Sequence, residues 1–200
     1  MDYTTLAQVR SALRIVETAD DAYLSQLITE ASRALDRICA RSIDATDFFK
    51  LENLTDEVLI GQVNQYGHIL CWPHKPKITT VTSLTYRFSP LEEYRSVDVA
   101  SRVEINKLRE VEAWTFLAAD RRGEVRIKIS YTGGFSASPG DLPADFTNLA
   151  ALFTARFYRE TEAGLSDVIG LADLTTATYT KALPQRLVTM IKPFVRTVPW

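Results

Sequence analysis

The stretch Val125-Arg-Ile-Lys-Ile-Ser-Tyr-Thr-Gly-Gly-Phe135 alternates apolar and polar residues and stops on two glycines, with Gly140-Asp-Leu-Pro-Ala-Asp145 shortly behind. A period of two puts Val125, Ile127, Ile129 and Tyr131 on one face, which predicts a strand over 124–131. A strand, a Gly pair and a helix start in that order fit a phosphate-holding loop or a change of direction between two kinds of structure. A phosphate loop needs further glycines, or a Lys and a hydroxyl at fixed spacing, and Thr132-Gly-Gly-Phe-Ser136 has neither. Gly133 and Gly134 are therefore read as a hinge, supplying backbone angles that other residues resist.

Beyond the hinge the helical period returns with Phe146, Leu149, Ala150, Phe153, Phe157 and Tyr158. Asp141 is a plausible cap, and Pro143 falls where its missing amide is harmless. Towards the N-terminus, Leu24, Leu27, Ile28, Ala31, Ala34, Leu35 and Ile38 recur at steps of three and four, the strongest helical signal in the chain. A shorter capped helix starts after Thr4 and Thr5. Between these helical ends, short β-branched and aromatic runs punctuated by Gly, Pro and Asn predict strands at 48–52, 58–63, 68–72, 78–86, 113–118 and 124–131. Residues 164–180 have no sustained period and read as a long exposed loop. Leu183, Leu187, Val188, Ile191, Phe194 and Val195 form a last amphipathic helix that can begin at Pro184 and should bend or end near Pro193.

The expected fold class is α+β: a helical bundle of N- and C-terminal helices with a β-rich insertion between helix 2 and helix 3. Residues 1–200 are expected to form one domain, with 1–46 and 136–200 as helical core and 47–135 as the insertion. The formal charge of −2, from 23 basic and 25 acidic side chains, gives no electrostatic reason to grip nucleic acid. No apolar run approaches the length that crosses a bilayer. The start Met1-Asp-Tyr-Thr lacks the basic and apolar parts of a signal peptide, and with only Cys39 and Cys71 this suggests a reducing, cytosolic place of synthesis.

Cys71-Trp-Pro-His74 has a spacing that metals use, but only His68 and Cys39 remain as further His or Cys ligands, so half a site is read as packing. No nucleophile elbow occurs, and pairs such as Asp20-Asp21 and Glu92-Glu93 read as caps and solvated turns. Arg121-Arg122 before Gly123 reads as a hairpin tip. The expectation is no catalytic residue, no cofactor and no metal, with a small enzyme or ligand-binding domain using the Cys71/His74 region as the alternative. Aromatic residues gather near the end, and Trp200 after Pro199 has the character of a partner anchor.

The order of several short motifs is informative. They are Tyr3-Thr-Thr-Leu-Ala-Gln-Val-Arg-Ser-Ala-Leu13, Thr18-Ala-Asp-Asp-Ala-Tyr-Leu-Ser-Gln-Leu-Ile28, Ala31-Ser-Arg-Ala-Leu-Asp-Arg37, Pro76-Lys-Ile-Thr-Thr-Val-Thr-Ser-Leu84, Ile129-Ser-Tyr-Thr-Gly-Gly-Phe135 and Leu142-Pro-Ala-Asp-Phe146. In this order the chain resembles the head-tail connector, or adaptor, proteins of tailed bacteriophages and related prophage and gene-transfer particles. The segment 88–120 is longer than in compact members.

The resemblance implies a non-enzymatic virion protein at the neck, made in the bacterial host cytoplasm. It implies a homo-oligomeric ring of about twelve subunits between the portal protein and a tail or stopper protein, through which double-stranded DNA passes without sequence-specific binding. It also implies that the C-terminal segment engages the portal, a role that falls here on Leu187, Ile191, Phe194, Val195 and Trp200.

Overall fold

The computed structural model describes residues 1–106, 110–115, 117, 123–138, 141–162 and 184–196. The chain divides into two compact units, one of Met1–Asp47 with Ser138–Val195, the other of Phe48–Ala137 to which Arg196 returns. The readings of Arg121-Arg122 as a hairpin tip, of 164–180 as a loop and of Trp200 as an anchor lie outside the described residues.

In the first unit, α1 (Leu6–Leu13) begins at a capping box: Gln8 N–H donates to the Thr5 hydroxyl at 3.3 Å, and Thr5 N–H donates back to the Gln8 side chain at 3.0 Å. It ends at Arg14, whose φ of 61° turns the chain out of the helix. The apolar stripe read from sequence becomes the buried face of α2 (Asp21–Ala40), with Leu24, Leu27, Ile28, Ala31, Leu35 and Cys39 inside. That face packs on α4 (Ala144–Glu162), which contributes Phe146, Leu149, Ala150 and Phe153. Tyr3 is fully buried between them, its ring edge-on to Phe146 at 5.2 Å and its hydroxyl donating to Asp36. The Asp36 carboxylate also accepts Asp47 N–H at 2.9 Å, so a buried acid is satisfied by a side chain and a loop amide.

The second unit is a seven-stranded antiparallel sheet in the order β4-β3-β7-β1-β2-β6-β5. Its strands are β1 (Glu52–Val63), β2 (Ile69–Cys71), β3 (Ile78–Arg87), β4 (Arg95–Val97), β5 (Val103–Ile105), β6 (Val111–Ala113) and β7 (Gly123–Gly133), with a one-turn helix α3 (Val99–Arg102) before β5. The alternating stretch that ends on Gly133 and Gly134 forms β7, flanked by the two other long strands, and Val125, Ile127, Ile129 and Tyr131 all point into the core. They meet Leu59, Ile69, Cys71, Leu84, Tyr86, Val111 and Ala113. Edge strand β5 comes back against β3, so the sheet is nearly closed.

The expected helical bundle with N- and C-terminal helices flanking a β insertion is therefore corrected: the organising structure is a nearly closed antiparallel sheet accompanied by helices. Local periodicity reports each segment alone, whereas this sheet arises from pairings far apart in sequence, such as Lys128 with both Thr85 and Val58. Strands β4, β5 and β6 span three residues each, too few to carry a period. The predicted strand at 113–118 is displaced, because only Ala113 of it belongs to β6.

Because Ile127 sits at the centre of this core with both neighbouring strands against it, Ile127→Ala is expected to lower the unfolding free energy by about 2–5 kcal/mol. Urea denaturation followed by far-UV circular dichroism checks this, and a loss under about 1 kcal/mol would contradict the central position of β7.

Candidate partner-docking site

The C-terminal residues singled out from sequence are built on α5 (Gln185–Ile191). Pro184 precedes the helix and accepts Val188 N–H at 3.1 Å, a position where proline's lack of an N–H does no harm. Leu187 and Ile191, one helical turn apart, are buried, and α5 packs on α4. Both side chains are thus used inside the subunit. A 3₁₀ turn over Lys192–Phe194, closed by Val195 N–H to Lys192 O at 3.3 Å, redirects the chain. Phe194 is half-buried with its ring 4.9 Å from that of Phe146, and Val195 is half-buried in extended conformation. Trp200 lies outside the described residues.

Arg196 belongs to the sheet unit, where its Nη2 donates to Trp72 O at 2.7 Å. Burial lowers its pKa, opposed by attraction to Glu57 and Tyr131. Glu57 reaches this position because a bulge between Leu54 and Glu57 inserts one residue opposite the Tyr131–Ile129 step of β7, leaving both Leu54 and Glu57 on the core side. The Glu57 carboxylate accepts from His74 Nδ1 at 2.5 Å and from His74 N–H at 3.4 Å. Burial pushes this carboxyl up, but the His74 hydrogen bond and charge, the Tyr131 hydroxyl and the His74 backbone outweigh it, so its pKa falls below the ordinary 4.5. Tyr131 is pushed well up, first by burial and then by the Glu57 charge, and remains a neutral phenol that also accepts Lys75 N–H at 3.2 Å.

The remaining sequence candidates separate. Cys71 is buried in the apolar core of the sheet, and burial pushes its thiol up to about 12, which leaves it protonated and unreactive. His74 is exposed and engaged by Glu57, while His68 Nδ1 faces Glu112 Oε1 at 2.9 Å. Cys39 is buried in the core of the helical unit. Among the described residues no group of three His, Cys, Asp or Glu side chains is placed to hold a metal ion, and no helix is long and apolar enough to cross a membrane.

Gly133 and Gly134 mark a close backbone crossing. Gly134 has φ of +121°, and a Cβ there would lie 2.2 Å from Lys50 O. Its N–H donates to Lys77 O at 3.0 Å, and the next residues are tied to the entry of the sheet by Phe135 N–H to Phe49 O at 2.9 Å and Leu51 N–H to Ser136 O at 2.8 Å. The sequence showed the two glycines but not what passes beneath them. It likewise gave no sign of Glu57, Trp72 and Arg196 as neighbours, since Glu57 lies in a run of mixed polarity and its partners come from three distant segments.

Residues 3–66, spanning α1, α2 and β1, are similar to the phage gp6-like head-tail connector protein family. The resemblance to head-tail connectors read from the sequence motifs holds. Two solved structures share the fold: a chain from the neck of an empty gene transfer agent particle, computed with C6 symmetry (TM-score 0.52), and one from the virion of a native gene transfer agent particle (TM-score 0.51). Each is 18% identical, with 99% of this chain and 92% of the other covered, and at that identity the likeness is one of fold. No curated protein matches the chain.

Two outcomes test this local structure. Because the Glu57 pKa is depressed in the folded state, its stabilisation is fully present above pH 4.5 and is lost as pH falls through the lower folded value. Glu57→Gln is therefore expected to cost about 1–3 kcal/mol near pH 7, with the gap to the wild type narrowing on acidification in denaturation curves at several pH values. Gly134→Ala is expected to cost at least about 1–3 kcal/mol, from backbone strain alone, and a lower melting temperature in calorimetry reports it.

Proposed function

We propose that the chain is a structural virion protein of the head-tail connector kind, forming a ring between the portal vertex and a tail or stopper protein. The observation that carries this reading is the coincidence of the family match over 3–66 with a fold likeness covering nearly the whole chain, the latter to proteins of gene transfer agent particles, one of them from a particle neck. A ring of about twelve copies, an extended DNA channel and location at the virion neck belong to this proposal, as does synthesis in the host cytoplasm. The two compact units would act together as one connector domain in each copy.

Near-neutral composition suits a conduit, because a strongly basic bore would hold phosphates and slow the passage of DNA. Portal engagement would fall on the end of the chain. Leu187 and Ile191, buried against the helical core, would set the direction of the last turn, leaving Phe194, Val195 and the terminal Trp200 as the groups offered to the portal protein. Aromatic side chains suit this role because they bring large contact area with few rotatable bonds.

Deleting Pro199 and Trp200 is expected to leave a folded subunit, with unchanged circular dichroism, that no longer joins portal-bearing particles. Co-sedimentation and negative-stain imaging of the neck check this. Normal joining by the shortened chain overturns the anchoring role, and absence of the full-length chain from the neck overturns the connector reading itself.

A further inference from the structure

The outer face of the sheet is polarised in a way that the connector reading does not use. Its strand register sets out cross-strand rows. Arg87 lies opposite Arg126, and Arg126 opposite Ile60; Thr85 lies opposite Lys128, and Lys128 opposite Val58. At the other end Leu70 lies opposite Glu112, and Glu112 opposite Glu104. In strand order β3 and β7 thus carry three outward cations, and β6 and β5 carry two carboxylates; β5 comes back against β3, yet among the described residues no ion pair joins these carboxylates to these cations.

None of the three cations is paired with a carboxylate among the described residues. Arg87 and Lys128 instead lie over the Tyr94 ring at 4.5 and 5.1 Å, and Arg87 donates one bond to Pro90 O at 3.1 Å while its Nε is buried without an acceptor. Glu124, on the same face two residues from Arg126, lies opposite uncharged Gln62. At the acidic end Glu112 accepts from His68, and Glu104 forms no ion pair among the described residues. Like charges directly opposed across a strand pair are destabilising, and here both ends carry such a pair, Arg87 with Arg126 and Glu104 with Glu112. Each would be relieved by the other end of a second molecule.

The face also carries apolar surface beside its charges. Val58 and Ile60 are 58% and 67% exposed next to the basic rows. Tyr66 and Trp114, 68% and 39% exposed, flank His68 at ring distances of 6.3 Å near the acidic end. Buried aliphatic and aromatic contacts supply affinity at interfaces, while complementary charge sets orientation and rejects wrong pairings.

We infer that the basic β3–β7 end of this face, with Val58 and Ile60, docks onto the acidic β6–β5 end, with Trp114 and Tyr66, of a second copy of this chain. The contact joins two different patches, so it is heterologous and repeats from copy to copy, closing into a ring when the rotation is right. This inference rests on the connector reading and specifies which surfaces its neighbours share. Duplex DNA is a poorer occupant of the basic end, since two exposed aliphatic side chains next to the cations offer phosphates nothing.

The test uses full-length chains carrying Arg126→Cys, Glu104→Cys or both, treated with a bis-maleimide; the native Cys39 and Cys71 are fully buried and leave the background low. A ladder of linked species from the double variant, and linked dimers only on mixing the two single variants, is the expected result. Arg126→Glu is expected to raise the concentration for half-association about tenfold, with recovery in the chain that also carries Glu104→Arg. Dimers from one single variant alone indicate a symmetric contact and overturn the inference. Rings seen by native mass spectrometry or imaging without the ladder overturn it too, while leaving the connector reading standing. No self-association in solution or on portal-bearing particles overturns both. Salt-sensitive binding of a 30-base-pair duplex that is abolished by Arg126→Glu, with no ladder, assigns the basic end to phosphates and overturns the inference.

Discussion

The fold depends on one strand having two long partners. β7 pairs along its length with β1 on one side and β3 on the other, and its inward residues Val125, Ile127, Ile129 and Tyr131 belong to one core with residues of every other strand. Two-sided pairing also fixes register: a slip of one residue would turn all four outward and bring Arg126 and Lys128 into the core, at a cost of several kcal/mol for each unpaired buried charge. The short strands β2, β4, β5 and β6 have their places only because this three-stranded centre exists.

How much of this the sequence could reveal depended on the range of each interaction. The stripe from Leu24 to Ile38 is legible because helical contacts recur every three or four residues, and α2 forms over that span with Cys39 continuing the buried face. The alternation in β7 is legible for the same reason. What a period cannot report is partnership. Nothing near Val58 announces Lys128, and nothing near Thr85 announces the same lysine, so the sequence alone understates the sheet and lends the organising role to the helices.

The candidate site divides along the same line. Leu187, Ile191, Phe194 and Val195 stand at helical spacing and form a real local structure, but spacing does not tell a side chain turned to its own core from one offered to a partner. Leu187 and Ile191 turn inward. Cys71 and His74, three positions apart in sequence, have different surroundings, the thiol in apolar packing and the imidazole held by Glu57. The Glu57, Tyr131 and Arg196 cluster had no local signature, because a β-bulge, a central strand and the end of the chain each contribute one member.

That cluster has a mechanical meaning. Tension that reaches Arg196 meets the guanidinium–Trp72 bond and the charge of Glu57 on the sheet unit before it reaches the 3₁₀ turn and α5. A guanidinium keeps its proton at any pH the molecule would meet, so this tether does not slacken with acidity on its own side. The load path thus has two clamps in series, a polar one followed by a greasy one.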